Sequence, residues 1–107
     1  MVAHFGMEKF RPTYDLNAIK TAFEAAKGLA ITTSALRAAS VLGFDRDAIV
    51  ETVTGIDRGM FNKSMTTFDD HRVWQDVYHV PSDGVVLYIK FQADLMTEFR
   101  IMAFKER

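Results

Sequence analysis

Lys63-Ser64-Met65-Thr66-Thr67-Phe68-Asp69-Asp70-His71-Arg72-Val73-Trp74-Gln75-Asp76-Val77-Tyr78 marks the point at which the chain changes character. Upstream, apolar residues recur every three or four positions, the period of a helix packed on one side; downstream they alternate, the period of a strand. Residues 60–67 read as a first strand, Phe68-Asp69-Asp70-His71-Arg72 as a polar connection, and residues 73–79 as a second strand. In the second strand Val73, Gln75, Val77 and His79 share one face, and Trp74, Asp76 and Tyr78 the other. Pro81-Ser82-Asp83-Gly84 is a turn, because proline presets φ and Asp-Gly tolerates positive φ. Val85, Leu87, Ile89 and Phe91 then line one face of a third strand, with Val86, Tyr88, Lys90 and Gln92 on the other. The chain turns again around Ala93-Asp94, and Phe99 to Phe104 form a last strand that is apolar on both sides, as a central or helix-covered strand is. Parity joins Lys105 to Ile101 and Ala103, and leaves open whether that face is core or cleft.

Residues 1–14 are weakly patterned, and Met7 is a candidate alternative start with residues 1–6 as a tail. Asp15 reads as an N-cap for a helix whose Leu16, Ile19, Phe23 and Ala26 face one way and which ends near Lys27-Gly28, with Gly28 as its C′ residue. Thr32-Thr33-Ser34 offers hydroxyl caps to a second helix, with a narrow stripe of Ala35, Leu36, Ala39 and Leu42 before Gly43. Asp45 begins a third, in which Ile49, Val50 and Val53 face inward and Gly55 closes the helix. The expected architecture is α+β, with N-terminal helices packed on a C-terminal antiparallel sheet in one domain spanning residues 1–107.

Composition narrows the function. The chain has 107 residues, 49% of them hydrophobic, which suffices for one core and not for two. There is no cysteine, so disulfides, thiolate zinc sites and cysteine nucleophiles are excluded together. No apolar run approaches the roughly 20 residues of a membrane span, and the start lacks a signal-peptide segment, so the chain is expected in the cytoplasm. The formal net charge of -1 announces no nucleic-acid partner in bulk. Any such site must be a local basic cluster.

No sequence-local enzyme signature is present: no phosphate-cradling glycine loop, no HExxH, no nucleophile elbow. Asp69, Asp70 and His71 have metal-binding chemistry but read first as a solvated turn, so no metal site is assigned. Phe68, Trp74 and Tyr78 offer rings for stacking on bases, with a place in the core as the plainer reading. By themselves these residues define a small α+β protein.

The wording of the sequence adds to this. Phe61-Asn62-Lys63 through Trp74-Gln75-Asp76-Val77-Tyr78 resembles the central signature of the MqsR family of bacterial toxins, the motility and quorum-sensing regulators. Thr32-Thr33-Ser34-Ala35-Leu36 and the ending Phe104-Lys105-Glu106-Arg107 are similar to further segments of that family, and the resemblance runs from about Met7 to the C-terminus. It implies a RelE-like toxin fold and a type II toxin-antitoxin toxin that cleaves messenger RNA endonucleolytically at GC-containing sites, without the ribosome. The family's two lysines, glutamine and tyrosine assigned to activity fall on Lys63, Lys105, Gln75 and Tyr88. Metal-independent cleavage by 2′-hydroxyl attack needs a proton removed, charge on the phosphorane stabilised and the departing 5′-oxygen protonated. On that scheme Lys63 and Lys105 stabilise the phosphate, Tyr88 transfers a proton and Gln75 orients the phosphate or a base edge. His71 is a candidate auxiliary acid or base, with a turn histidine hydrogen-bonded to Asp69 or Asp70 as the plainer reading, and Arg58, Arg72 and Lys90 are candidates to guide the RNA backbone, with solvated surface positions as the plainer reading. Lys63, Gln75, Tyr88 and Lys105 are expected to converge within the span of one nucleotide.

The resemblance also implies a partner, an MqsA-like antitoxin with a zinc-binding domain and a DNA-binding helix-turn-helix domain. DNA is then met only through the antitoxin, and this chain needs no cofactor. Two other readings compete: a catalytically weak homologue acting as an antitoxin-binding transcriptional co-regulator, and a small-ligand domain with a closed apolar pocket.

Overall fold

The computed structural model describes residues 6–26, 28–93 and 99–107. Asp15, Thr32 and Asp45 start the three helices for a shared reason. Each side-chain oxygen accepts a backbone N–H that the first helical turn leaves unpartnered, from Asn17, Ala35 and Ala48 respectively. The helices are α1 (Leu16–Ala25), α2 (Thr33–Val41) and α3 (Arg46–Thr54). They bury Leu16, Ile19 and Phe23, then Ala35 and Ala39, then Ile49 and Val53.

Some details depart from expectation. Leu36 is exposed, so the buried stripe of α2 consists of alanines, which lets that helix approach the sheet closely. Helix α1 stops at Ala25 with extended Ala26 as its cap, so Gly28 is not its C′ residue. Lys27, expected near that end, lies outside the described residues. Gly43 does close α2: at φ 87° it permits a Schellman motif in which Phe44 N–H donates to Ala39 C=O and Gly43 N–H to Ser40 C=O.

Five strands, β1 (Glu8–Lys9), β2 (Phe61–Thr66), β3 (Trp74–Ser82), β4 (Val85–Ala93) and β5 (Phe99–Glu106), lie in chain order with every neighbouring pair antiparallel. The α+β arrangement is as expected, with one addition, since the short strand β1 stands ahead of the helices in a segment without strand patterning. It is held from outside its own sequence: Met7 N–H donates to Thr66 Oγ1 at 2.8 Å and Thr66 N–H donates to Met7 C=O at 2.9 Å. Pro81 and Ser82 belong to β3, paired with Val86 and Val85. The turn is therefore the two residues Asp83 (φ 44°) and Gly84 (φ 86°), both left-handed as a type I′ hairpin requires. The second turn, expected around Ala93-Asp94, lies beyond Ala93 outside the described residues.

One core forms between the helices and a single face of the sheet. Tyr78 and Val80 of β3, Leu87, Ile89 and Phe91 of β4, and Ile101 and Phe104 of β5 meet the buried helix residues there. Tyr78 is 1% exposed, with its ring edge-on to Phe61 and Phe91, so it is a core aromatic and no base-stacking platform. On the same side the fully buried Asp76 accepts the backbone N–H groups of Thr13 and Tyr14, pinning the chain where α1 begins. Residues 30–32 cover the outer edge of β5, since Ile101 N–H donates to Ala30 C=O and Thr32 N–H donates to Ile101 C=O.

The parity of β5 is broken by a bulge. Lys90 pairs with Ala103 but Phe91 pairs with Ile101, so Met102 is the extra residue. Ile101 and Phe104 both reach the core, while Ala103 and Lys105 turn to the opposite face. This answers which face Lys105 occupies.

Candidate active site

The face opposite the helices is built by the alternate residues of the same strands. Its side chains form rows across the sheet, neighbouring strands standing about 4.8 Å apart and successive rows about 7 Å. One row runs His79, Tyr88, Lys105 over β3, β4 and β5. The next runs Lys63, Val77, Lys90, Ala103 over β2 to β5, and the third Met65, Gln75, Gln92, Arg100. Lys63, Gln75, Tyr88 and Lys105 thus share one face on four adjacent strands. They do not converge on a point, because Gln75 lies four residues, about 13 Å, along β3 from the row of Tyr88. The arrangement is an elongated strip.

Contacts within the strip are specific. Lys105 Nζ lies 5.3 Å from the centre of the Tyr88 ring, and the His79 ring 6.1 Å from it on the other side. Gln75 Nε2 donates to Gln92 Oε1 at 2.9 Å, which fixes which way both amides point. Lys63 Nζ reaches Glu8 of β1 at 3.2 Å. Val77 has no helix above it yet is fully buried, as expected beneath the aliphatic stems of its row neighbours Lys63 and Lys90.

Crowding of cations and partial burial move the titrations. Burial pushes the Tyr88 phenol up, against the pull of the Lys63 ammonium, so it stays protonated at neutral pH. Burial and the Lys105 cation hold Lys90 below the usual lysine range. Burial, then the positive charges of Arg107 and Lys63, hold His79 below 6.5, so its imidazole is neutral at pH 7. The face is thus cationic and also carries a neutral acid and a neutral base.

The remaining expected residues stand elsewhere. Arg58 sits in the 3-10 turn (Arg58–Met60) leading into β2, beside a 360 Å³ hollow also lined by Tyr14, Phe61 and Tyr78. His71 and Arg72 occupy the exposed β2–β3 loop, where Arg72 pairs with Asp70 at 3.1 Å. Among the described residues no three His, Cys, Asp or Glu side chains gather as metal ligands would. Sequence reading placed His79 on the Gln75 face but gave it no role. The signal was available in the hairpin: a two-residue Asp83-Gly84 loop pairs Ser82 with Val85 and, counting back, His79 with Tyr88.

Fold and face together define a class, a small α+β protein whose uncovered sheet presents ammonium, phenol and imidazole groups side by side. The chain matches the family described as motility quorum-sensing regulator, toxin of MqsA, over residues 11–106, and it belongs to that family. It is 36% identical over 101 residues to the mRNA interferase toxin MqsR of Escherichia coli (strain K12), an alignment covering 94% of this chain and 100% of that protein. No helix among the described residues is long and apolar enough to cross a membrane.

Proposed function

We propose that this chain is an mRNA interferase, an endoribonuclease that cleaves messenger RNA at GC-containing sites by attack of the 2′-hydroxyl on the neighbouring phosphate, without a metal ion. The observation that carries this reading is the common facing of Lys63, Gln75, Tyr88 and Lys105 across four adjacent strands. Tyr88, protonated and flanked by Lys105, suits proton donation to the leaving oxygen. Lys63 and Lys105 supply the positive charge that a phosphorane needs. The paired amides of Gln75 and Gln92, about 13 Å further along, suit contact with a neighbouring nucleotide. Lys90 and Arg100 on the same face extend the cationic path, whereas Arg58, Arg72 and His71 serve at most the approach of RNA from outside it.

In this reading an MqsA-like antitoxin is the partner that restrains the chain in the bacterial cytoplasm, and DNA is reached only through it. The preference for GC rests on the family likeness. The test is direct: the purified chain, incubated with GC-containing RNA in EDTA, yields fragments ending in 2′,3′-cyclic phosphate. RNA left intact at high protein concentration refutes the enzyme reading and favours a co-regulator that only binds its antitoxin.

A further inference from the structure

We propose that His79 is a catalytic residue of the same strip, the general base that takes the 2′-hydroxyl proton while Tyr88 serves as the acid. This rests on the reading of the chain as a ribonuclease. The two rings face each other across the β3–β4 ladder, 6.1 Å between centres and tilted by 40°, so that one phosphodiester laid across them reaches both.

The chemistry of the face leaves this role open to few groups. A base at neutral pH must be unprotonated beforehand, and its conjugate acid must be weak enough to hold the proton it takes. Tyr88 is a phenol whose burial keeps it protonated, which makes it a donor. Lys63 is engaged with Glu8, and Lys105 lies over the Tyr88 ring. Lys90 is displaced downward from the usual lysine range, but its row neighbours are Val77 and Ala103, so no acid stands directly beside it. His79 is half-buried beside the acid itself. His71, in contrast, stands in the exposed loop.

The charged groups around His79 are cations with one exception. From β2 comes Lys63 with its partner Glu8 on β1, from β4 Tyr88 and Lys90, from β5 Lys105, and from just beyond the end of β5 Arg107. Apart from Glu8, itself engaged by Lys63, none is an anion that would hold the imidazole protonated. In the step, an imidazole nitrogen accepts the ribose 2′-hydroxyl proton as that oxygen bonds to phosphorus. The bond from phosphorus to the 5′-oxygen breaks, and the leaving oxygen takes the phenolic proton of Tyr88. A 2′,3′-cyclic phosphate and a 5′-hydroxyl result. Imidazolium and phenolate then restore one another by proton transfer through water.

The experiment compares wild type, His79→Gln and Tyr88→Phe on an oligoribonucleotide in EDTA, reading kcat across pH together with binding to the same oligomer carrying a 2′-deoxy sugar at the cleavage site. In wild type the rate rises with pH through a midpoint below 6.5 and is then level. His79→Gln is expected to lower kcat by about 10²-fold and to erase that acid limb. Binding of the deoxy oligomer stays within about twofold, because a neutral imidazole contributes no charge to affinity. Thermal unfolding checks that the variant is folded, and free imidazole added to His79→Ala should restore at least about tenfold of the lost rate. A His79→Gln chain that cleaves within about threefold of wild type, or keeps the acid limb, overturns the assignment while leaving the ribonuclease reading intact. A folded His79→Ala that imidazole does not rescue also overturns it. Inactive wild type overturns both.

Discussion

The two faces of the sheet are made by the same strands and hold opposite contents. On the helix side β3, β4 and β5 contribute Tyr78, Val80, Leu87, Ile89, Phe91, Ile101 and Phe104 to one core. On the other side the residues between them are His79, Tyr88, Lys90, Gln92 and Lys105, and among the described residues Glu8 is the one carboxylate in those rows. Exposed acids such as Glu24, Asp45, Asp47 and Glu51 stand instead on the helix layer. A chain of net charge -1 therefore carries a locally cationic surface, the kind a polyanion needs and a whole-chain count conceals. The core lies on one face and the proposed site on the other, so the two should be open to separate damage.

That separation is testable. Phe91→Ala, on the core face, removes a fully buried ring and is expected to cost about 3–5 kcal/mol of stability in urea unfolding. Activity should fall only in proportion to the unfolded fraction. Tyr88, on the opposite face of the same strand, gives the opposite result: Tyr88→Phe should lower the cleavage rate by about 10²-fold while the unfolding midpoint hardly moves. If Tyr88→Phe instead unfolded the chain, the division between the faces would be lost. Lys63→Ala deletes one cation of the strip and is expected to reduce kcat/KM by about tenfold, with a shallower dependence on salt. The smallest effect concerns Glu8, which occupies Lys63 in the absence of RNA. A half-exposed pair is worth less than about 1 kcal/mol, so Glu8→Gln should tighten RNA binding by about two- to fivefold at low salt. Weaker binding would show that Glu8 orients Lys63 and does not compete with RNA.

Much of the fold was legible because it is local. The caps at Asp15, Thr32 and Asp45, the Gly43 stop and the alternation of Val85 to Gln92 each depend on a few consecutive residues, and each appears in the structure. The face of Tyr88 followed from the same alternation. Gly28 misled because a glycine only permits a left-handed cap, and α1 had already ended at Ala25. Leu36 misled because a stripe of helical spacing does not say how wide the contact will be.

What the sequence determined by itself was therefore the kind of each element and, within β3 and β4, which residues share a face, since side chains alternate by the geometry of a single strand. Only tertiary structure decided how the strands line up beside one another. The pairing of β1 with β2 and the bulge at Met102 that turns Lys105 away from the core arise from hydrogen bonds between segments that no tight turn joins, whereas the meeting of His79 with Tyr88 follows from the two-residue hairpin. Those bonds depend on register, which no single strand encodes, and a one-residue shift in register exchanges the two faces.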